Sequence, residues 1–351
     1  MKNAEWFEEE WKKNNEKFGI NEEFPEKVIE IGRMIKHFMQ DDYKRYQGAT
    51  GNARGMLDAI KAYVNSAQID SNEKFLKNVN LIVDYILKVR QTSQVPLNTS
   101  FFIKKKMEKI DCSKYCIDDL KKLLLEECAN HEKNYEEAKR KIAEYMSARI
   151  IDRCDEYGMK SITIGTHCHS GAVLDAIIKS KEHVSQVIVS KTEPEQQGIL
   201  TADKLLSHGI KVKLINLEQY GTEFRKVNMF LFGIDAVSVE GIVLNKAGTR
   251  MIATLAKTKD LPVYFLGETY KYARDTLMGG LIRVERRDVT KNLLHNHLGV
   301  DLEKYLETRL LDTEYMAFDT TKPELYNSIV SEMGFLPMRE AFMLKWKDYF
   351  A

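Results

Sequence analysis

Residues 161–171, near the middle of the chain, read Ser161-Ile162-Thr163-Ile164-Gly165-Thr166-His167-Cys168-His169-Ser170-Gly171. A short apolar, β-rich run breaks at Gly165, and a polar segment follows the break. Apolar residues then recur at helical spacing over Ala172–Lys179. The stretch predicts a strand, a loop and a helix, which is the junction where open α/β sheets bind ligands.

Cys168 is the residue of this loop that carries the most chemistry. We expect Ser170 to cap the helix, whose free N–H groups and positive dipole end favour an anion and a thiolate. Cys168 should then have a lowered pKa and an exposed sulfur. The alternative is a buried structural cysteine between two capping histidines, His167 and His169.

Composition narrows the class of protein. The 351 residues suffice for two domains, each with a core of its own. With 30% charged residues and a net charge of +1, nothing indicates a binder of nucleic acid or of membrane surfaces. The chain shows no apolar run of membrane-spanning length and begins polar and acidic, unlike a signal peptide.

Cysteine usage points to a reducing compartment. Five cysteines at irregular spacing argue against a disulfide framework, so we expect a cytoplasmic protein. Cys112, Cys116, Cys128 and His131 could in principle form a tetrahedral zinc set. Their spacing matches no common finger pattern, so we interpret them as core or surface thiols and expect neither a metal nor another cofactor.

The two halves of the chain differ in their hydrophobic pattern. Up to about Lys160 the pattern is almost entirely helical, interrupted by the small residues of Gln47–Asn52 and ending in a long charged helix over Leu120–Tyr157. Strand-like runs then alternate with helical ones, which predicts a parallel sheet with crossover helices. The predicted strands are Ile162–Ile164, Val187–Ser190, Val212–Ile215, Met229–Phe232 and Val263–Leu266.

This change of pattern predicts an α/β protein of two domains. Residues 1–155 would form a helical N-terminal domain, and residues 156–351 a Rossmann-like parallel-sheet domain that binds ligand or is catalytic. Polar groups cluster at the predicted strand ends of the second half. These are Cys168, Asp235, Asn245, Lys246 and Lys271. Because such ends face one crevice, we expect a site there, with phosphate bound by the lysines and by helix N-terminal amides near Ser170 and Thr249.

Several of these segments resemble one protein family. They are Thr166–Ser170, Gln197-Gly198 with Thr201-Ala202, Gly233–Val237, Asn245–Thr249, Glu268–Tyr272 and Phe318–Leu325 with Glu332–Gly334. In order and spacing they resemble the family that contains ribose-1,5-bisphosphate isomerase, methylthioribose-1-phosphate isomerase and the α, β and δ subunits of translation initiation factor 2B. The resemblance implies a helical domain on a Rossmann-like domain and assembly into dimers or larger homo-oligomers such as hexamers.

The resemblance also implies roles for individual residues. In the isomerases a cysteine and an aspartate at the positions of Cys168 and Asp235 carry proton transfer, and Gln197, Asn245 and Lys246 match positions that hold the substrate. Moving a proton between C2 and C1 of a sugar needs one acid and one base of different pKa. The regulatory subunits of the translation factor commonly lack the cysteine–aspartate pair, so its presence here favours an enzyme.

The chain departs from the family at its arginines. Gln47-Gly48-Ala49 stands where the isomerases have Arg-Gly-Ala. The second family arginine corresponds to a position near Gln91–Ser93, unless Arg90 comes into register with it, and Glu193 replaces a third. Arginine forks hold phosphate strongly and a carboxylate repels it, so these changes argue against a bisphosphate substrate.

Two functional hypotheses follow. The first is an aldose–ketose isomerase acting on a ribose 1-phosphate-type sugar through Cys168 and Asp235, with substrate held by Gln47, Gly48, Ala49, Gln197, Asn245, Lys246 and Lys271. The second is a non-catalytic regulatory protein, like the α subunit of initiation factor 2B, that binds a sugar phosphate or nucleotide and a protein partner.

Overall fold

The computed structural model describes residues 2–36, 46–90, 93–284, 286–288, 300–306, 308, 310–337 and 340–345. By backbone packing these residues form two units. The helical unit contains Met1–Ala138 and Glu268–Lys271, and the sheet unit contains Lys139–Gly267 and Tyr272–Ala351. The division falls inside a long helix, whereas the sequence pattern changes at the end of that helix. The domain limits 1–155 and 156–351 therefore stay a prediction.

Among its described residues the helical unit contains six α-helices. They are α1 (Lys2–Phe18), α2 (Glu26–Lys36), α3 (Gly48–Ser66), α4 (Asn72–Val89), α5 (Gln94–Glu108) and the first half of α6 (Ile117–Tyr157). Aromatic side chains pack against one another in its core, where Trp11 packs edge-on against Tyr63 and Tyr63 stacks on Phe75. Large buried rings remove much apolar surface from water, so they make a major contribution to the stability of this unit.

The small residues of Gln47–Asn52 were expected to interrupt the helices, but most of them lie within a helix. The helix α3 begins at Gly48 and runs through them. At Gly51 a Cβ atom would lie 2.5 Å from the backbone carbon of Tyr46, so glycine permits a close approach of two backbone segments. The absence of side-chain bulk here is a packing requirement, which a sequence pattern cannot distinguish from a helix break.

The sheet unit contains a six-stranded parallel sheet. Its strands are β1 (Ile162–His167), β2 (Val184–Ser190), β3 (Val212–Ile215), β4 (Met229–Gly233), β7 (Val263–Leu266) and β11 (Ser328–Val330), in the order β11-β7-β4-β1-β2-β3. All residues of β4 and β7 are buried, as expected for strands covered on both faces. Helices of this unit include α7 (Gly171–Lys179), α8 (Gln197–Leu206), α9 (Tyr220–Glu223) and α10 (Thr249–Lys257). The predicted fold class is confirmed.

Some elements of this unit escaped the sequence pattern. The strand β1 continues through Gly165 to His167. Position 165 is a glycine because a Cβ there would lie 2.3 Å from the ring of Phe230 on β4, so this glycine does not mark the end of the strand. The short strands β5 (Ala236–Val237), β6 (Val243–Lys246) and β10 (Phe318–Thr321) form an antiparallel sheet in the order β10-β6-β5. The strands β8 (Arg286–Asp288) and β9 (Glu314–Met316) also pair. None of these short strands contains more than two consecutive apolar residues, so the hydrophobic pattern does not identify them.

In the part of the chain that the structure covers, no helix combines the length and the apolar character needed to cross a bilayer.

Candidate active site

The backbone of Cys168 adopts a left-handed conformation immediately after β1. Its φ is 67°. Residues other than glycine adopt this backbone conformation at a cost of about 1 kcal/mol or more. Two hydroxyl groups fix this conformation. The N–H of Cys168 donates to Thr192 Oγ1 at 2.9 Å, and Thr201 Oγ1 donates to the carbonyl oxygen of Cys168 at 2.8 Å. Thr192 is itself left-handed, with a φ of 67°. Such local strain is concentrated at functional sites in proteins.

The Cys168 thiol is protonated at neutral pH, which corrects the expected thiolate. Burial raises the pKa of Cys168 to about 12, and the charges of Asp235 and Glu195 raise it further while Lys246 lowers it. The residue as a whole is only partly exposed, and its Sγ donates to Gln197 Oε1 at 2.9 Å. The helix N-terminus is too weak to offset this desolvation. Ser170 occupies the N-cap position of α7, but its side chain makes no cap hydrogen bond.

His167 and His169 act in the architecture of this loop. The Nε2 of His167 lies 2.9 Å from the carbonyl oxygen of Ala247, which can only accept, so Nε2 carries the proton and Nδ1 accepts from Ser190 Oγ. Burial lowers the pKa of His167 to about 4, so the ring is neutral. Burial also lowers the pKa of His169 to about 4, and its Nδ1 lies 3.1 Å from Thr201 Oγ1.

Gln197 reaches Cys168 because α8 begins very close to the end of β2. At Gly198 a Cβ would lie 1.8 Å from the carbonyl oxygen of Ser190, so only glycine fits at the second position of the helix. Gln196, the residue immediately before α8, has a left-handed backbone with a φ of 56°. This close approach places the first side chain of α8, that of Gln197, beside the thiol.

Asp235 follows the end of β4 and is held by Asn245 of β6. The Nδ2 of Asn245 donates to Asp235 Oδ2 at 3.3 Å, and the Oδ1 of Asn245 accepts from Thr249 Oγ1 at 2.9 Å. A Cβ at Gly233, two residues before Asp235, would lie 2.7 Å from the side chain of Ser170. The absence of a side chain at Gly233 therefore lets the β4 end approach the Cys168 loop. Asp235 is partly buried.

Lys246 is buried in an ion pair. Its Nζ contacts Glu195 Oε2 and lies 3.2 Å from the hydroxyl of Tyr315, which donates to Glu195 Oε1 at 2.9 Å. The Lys246 side chain is 3% exposed and that of Glu195 13%. We refer to Cys168, Gln197, Asp235, Asn245 and Lys246 as the Cys168 cluster, since hydrogen bonds or charge effects on the thiol link them.

The predicted anion site at the N-terminus of α10 is already filled by a carboxylate. Asp319 accepts hydrogen bonds from the N–H of Gly248 at 2.8 Å and from the N–H of Arg250 at 3.1 Å. A carboxylate satisfies the free amides of a helix start and interacts well with its dipole. The amides near Thr249 are therefore not open to a phosphate, which corrects the expectation.

The other predicted ligand residues belong to the helical unit. Gln47 is the N-cap residue of α3 and makes no side-chain cap hydrogen bond, and Gly48 and Ala49 open the helix. The next residue, Thr50, donates to Glu268 Oε1 at 3.2 Å, and Lys271 pairs with Glu268 Oε2 at 3.0 Å. The structure thus brings Lys271 and the start of α3 together through buried Glu268.

The described thiols outside the cluster lie in surroundings without a metal-binding arrangement. Cys128 is buried, and Sγ of exposed Cys116 donates to Asp119 Oδ2 at 3.0 Å. His131 Nδ1 lies 2.9 Å from the Tyr270 hydroxyl. The side chain of Cys112 and residues 91–92 lie outside the described residues. Within the described residues no group of three or more histidine, cysteine, aspartate or glutamate side chains could hold a metal ion.

Comparison with known proteins identifies the family of this chain. The model of the initiation factor 2 subunit family, IF-2B, matches residues 45–338, which is most of the chain. The chain belongs to the initiation factor 2 subunit family. Among relatives of this family, ribose 1,5-bisphosphate isomerase of Thermococcus kodakarensis is 27% identical over 314 residues, 88% of this chain and 91% of the relative.

Two solved structures share the fold of this chain. The translation initiation factor eIF-2B of Pyrococcus horikoshii OT3 superposes with a TM-score of 0.67 at 22% identity, covering 90% of this chain and 98% of that one. The 5-methylthioribose 1-phosphate isomerase of the same organism gives a TM-score of 0.70 at 20% identity, covering 92% and 88%. The proteins similar to this chain thus include some named as enzymes and some named as translation factors.

Sequence reasoning missed four residues around the site. Thr192 holds the backbone of Cys168. Glu195 and Tyr315 hold Lys246, and Asp319 holds the start of α10. Asp319 lies in a segment that matches the IF-2B family, so its position gave a signal. Glu195 and Tyr315 gave none, because 120 residues separate them and only the fold brings them together.

Proposed function

We propose that this chain is an aldose–ketose isomerase that acts on a ribose 1-phosphate-type sugar. The observation that carries the proposal is the pairing of a thiol and a carboxylate. Asp235 lies close enough to Cys168 for its charge to raise the pKa of the thiol. Hydrogen bonds position both groups: Gln197 and Thr192 bind Cys168, and Asn245 binds Asp235.

The chemistry requires two proton-transfer groups because the sugar is locked as a phosphorylated ring. A base removes the proton from C2, and the electron pair forms the C1–C2 double bond as the bond between C1 and the ring oxygen breaks. An acid protonates that oxygen. The resulting enol then loses its O2 proton and gains a proton at C1, which gives the 2-ketose 1-phosphate with all atoms retained.

The protonation state of the thiol suggests which group has which role. With a pKa near 12, Cys168 enters the reaction as a proton donor. Asp235, held by the amide of Asn245, is then the group that accepts a proton. Gln197, Asn245 and Lys246 would contact sugar hydroxyls. Substrate binding stays a prediction for Gln47, Gly48, Ala49 and Lys271. Assembly into a dimer or hexamer also stays a prediction.

The relatives support an isomerase acting on a sugar phosphate. The Thermococcus protein, related over nearly the whole of both chains, is named for isomerisation of ribose 1,5-bisphosphate. A solved structure of the same fold is named for 5-methylthioribose 1-phosphate. A ribose 1-phosphate with a variable substituent at C5 is common to both names, so this substrate class is the one we propose here.

The proposal is tested by incubating the purified protein with a panel of pentose 1-phosphates that differ at C5. Formation of a 2-ketose 1-phosphate, followed by NMR, would support it. Asp235→Asn keeps the shape of the side chain but cannot accept the proton, so it should abolish turnover. If no member of the panel is converted by the folded protein, the enzymatic proposal should be abandoned.

The second candidate is a non-catalytic regulatory protein that binds a sugar phosphate or nucleotide. The observation that favours it is the neutralised lysine, since Lys246 pairs with Glu195. In that case the panel would bind without conversion, and both Asp235→Asn and Cys168→Ser would bind the same compounds as the wild type. Binding without turnover that survives both substitutions would therefore decide for regulation.

A further inference from the structure

Glu195 is the nearest competitor of any anionic ligand for Lys246. Its carboxylate contacts the ammonium directly, and the hydroxyl of Tyr315 supports both partners. Lys246 lies on β6 and is almost completely buried, so it has little freedom to turn to another partner. Pairs of buried charges hold strongly when their remaining hydrogen-bonding capacity is also satisfied, as it is here by Tyr315.

The charge of this arrangement decides what it can bind. One ammonium cannot compensate both a carboxylate and a phosphate, because the two anions repel each other at this distance in a poorly hydrated site. Hydroxyl groups are different, since the ammonium and the carboxylate can donate to and accept from them without adding charge. The ion pair therefore suits the neutral part of a sugar.

We propose that Glu195 is a specificity-determining residue that masks Lys246, so that this end of the Cys168 cluster accepts hydroxyl groups of the ligand and disfavours an anionic group. The inference deepens the proposed function, on which it rests for the identity of the ligand as a sugar phosphate. It adds that the substrate carries no charged group where it meets Lys246.

Glu193 offers a matched control for Glu195. It lies two residues earlier, on the same turn, and its carboxylate pairs with Lys191 at 2.7 Å. The Glu193 side chain is 55% exposed, in contrast to that of Glu195. Replacing either glutamate with glutamine removes one negative charge from the same surface of the protein, but only Glu195→Gln unmasks Lys246.

The test measures binding of inorganic phosphate by isothermal titration calorimetry to the full-length wild type, Glu195→Gln, Glu193→Gln and the double variant Glu195→Gln/Lys246→Met. We expect Glu195→Gln to bind phosphate roughly tenfold tighter or more than the wild type, because a repulsive charge next to a buried ammonium has been removed. The double variant should lose this gain, and Glu193→Gln should bind as the wild type does.

Three results would overturn the proposal. They are unchanged phosphate affinity in Glu195→Gln, an equal gain in Glu193→Gln, or a gain that persists when Lys246 is also replaced. Folding is checked by circular dichroism, and Glu195→Ala takes the place of Glu195→Gln if the latter does not fold. Phosphate binding needs no turnover, so a chain that binds as expected but converts no sugar would refute the isomerase and leave the role of Glu195 standing.

Discussion

The thiol of Cys168 donates a hydrogen bond to the side-chain oxygen of Gln197 over 2.9 Å, from a backbone that is left-handed at φ 67°. The bond stabilises the protonated form of the sulfur, as does its burial. A residue that looks like an activated nucleophile from its place before a helix is therefore a neutral acid in the folded protein. This difference changes which experiments are informative.

Alkylation of thiols should spare Cys168 at neutral pH. The thiolate is the reactive species, and a pKa near 12 leaves very little of it at pH 7.5. Cys128 is also buried, with a pKa raised to about 12, whereas Cys116 is exposed. We expect limited iodoacetamide treatment followed by mass spectrometry to label Cys116 before Cys168. Preferential labelling of Cys168 would show that the thiol is ionised after all.

Removing the charge of Glu195 should make Cys168 more reactive. Three charged groups act on this thiol: Lys246 lowers its pKa, while Asp235 and Glu195 raise it. In Glu195→Gln the pKa should fall, so the alkylation rate of Cys168 should reach its midpoint at a lower pH than in the wild type. Glu193→Gln serves as the control with the same charge change. Identical pH profiles for the wild type and Glu195→Gln would contradict the electrostatic account.

Acid should destabilise the fold through His167. Its pKa in the folded state is about 4, below the ordinary value of 6.5, so the unfolded chain takes up this proton first as the pH falls. The stabilisation by the neutral ring is complete above about pH 6.5 and declines toward pH 4, by up to about 3 kcal/mol. We expect Tm to fall between pH 7 and 5, and to fall less steeply in His167→Gln.

The control for this measurement is His208→Gln, because His208 is exposed on the surface of the same unit. Its Tm should follow the wild-type dependence on pH. If His167→Gln and the wild type lost stability in parallel, titration of another group would have to explain the acid sensitivity.

Gly198→Ala should destabilise the protein and displace Gln197. The new methyl group would lie 1.8 Å from the carbonyl oxygen of Ser190, so β2 and α8 must separate. Overpacking of this kind costs about 1–3 kcal/mol. Gly221→Ala is the matched control, since a Cβ there meets no atom within 4 Å. Thermal unfolding should show a clearly lower Tm for Gly198→Ala and little change for Gly221→Ala, and equal Tm values would disprove the close contact.

Asp235→Asn should leave stability nearly unchanged. Asp235 is only partly buried, and an asparagine can still accept the hydrogen bond from Asn245 at 3.3 Å. A Tm within a few degrees of the wild type, measured by scanning calorimetry, would make any loss of turnover a chemical effect. A large loss of Tm would instead assign Asp235 a structural role.

The main helices and strands, the family, and the positions of Cys168 and Asp235 after strand ends could be predicted from the amino-acid sequence. Hydrophobic period is local, so the strands Val212–Ile215 and Val263–Leu266 could be predicted to the residue. Short strands such as β5, and glycines required by close packing such as Gly165 and Gly51, could not. Their local sequence carries no period, and the reason for each glycine is an atom of a distant residue.

The charge state and ion pairing of the site residues follow from the tertiary structure and could not be predicted from the sequence. Lys246 finds Glu195 51 residues away and Tyr315 69 residues away. The backbone amide of Gly248 at the start of α10 donates to Asp319, which lies 71 residues further along the chain. Whether a lysine is open to a phosphate, or a thiol is ionised, depends on distances in space and on exclusion of water, which are properties of the folded chain. The sequence names the groups, and folding sets their charge.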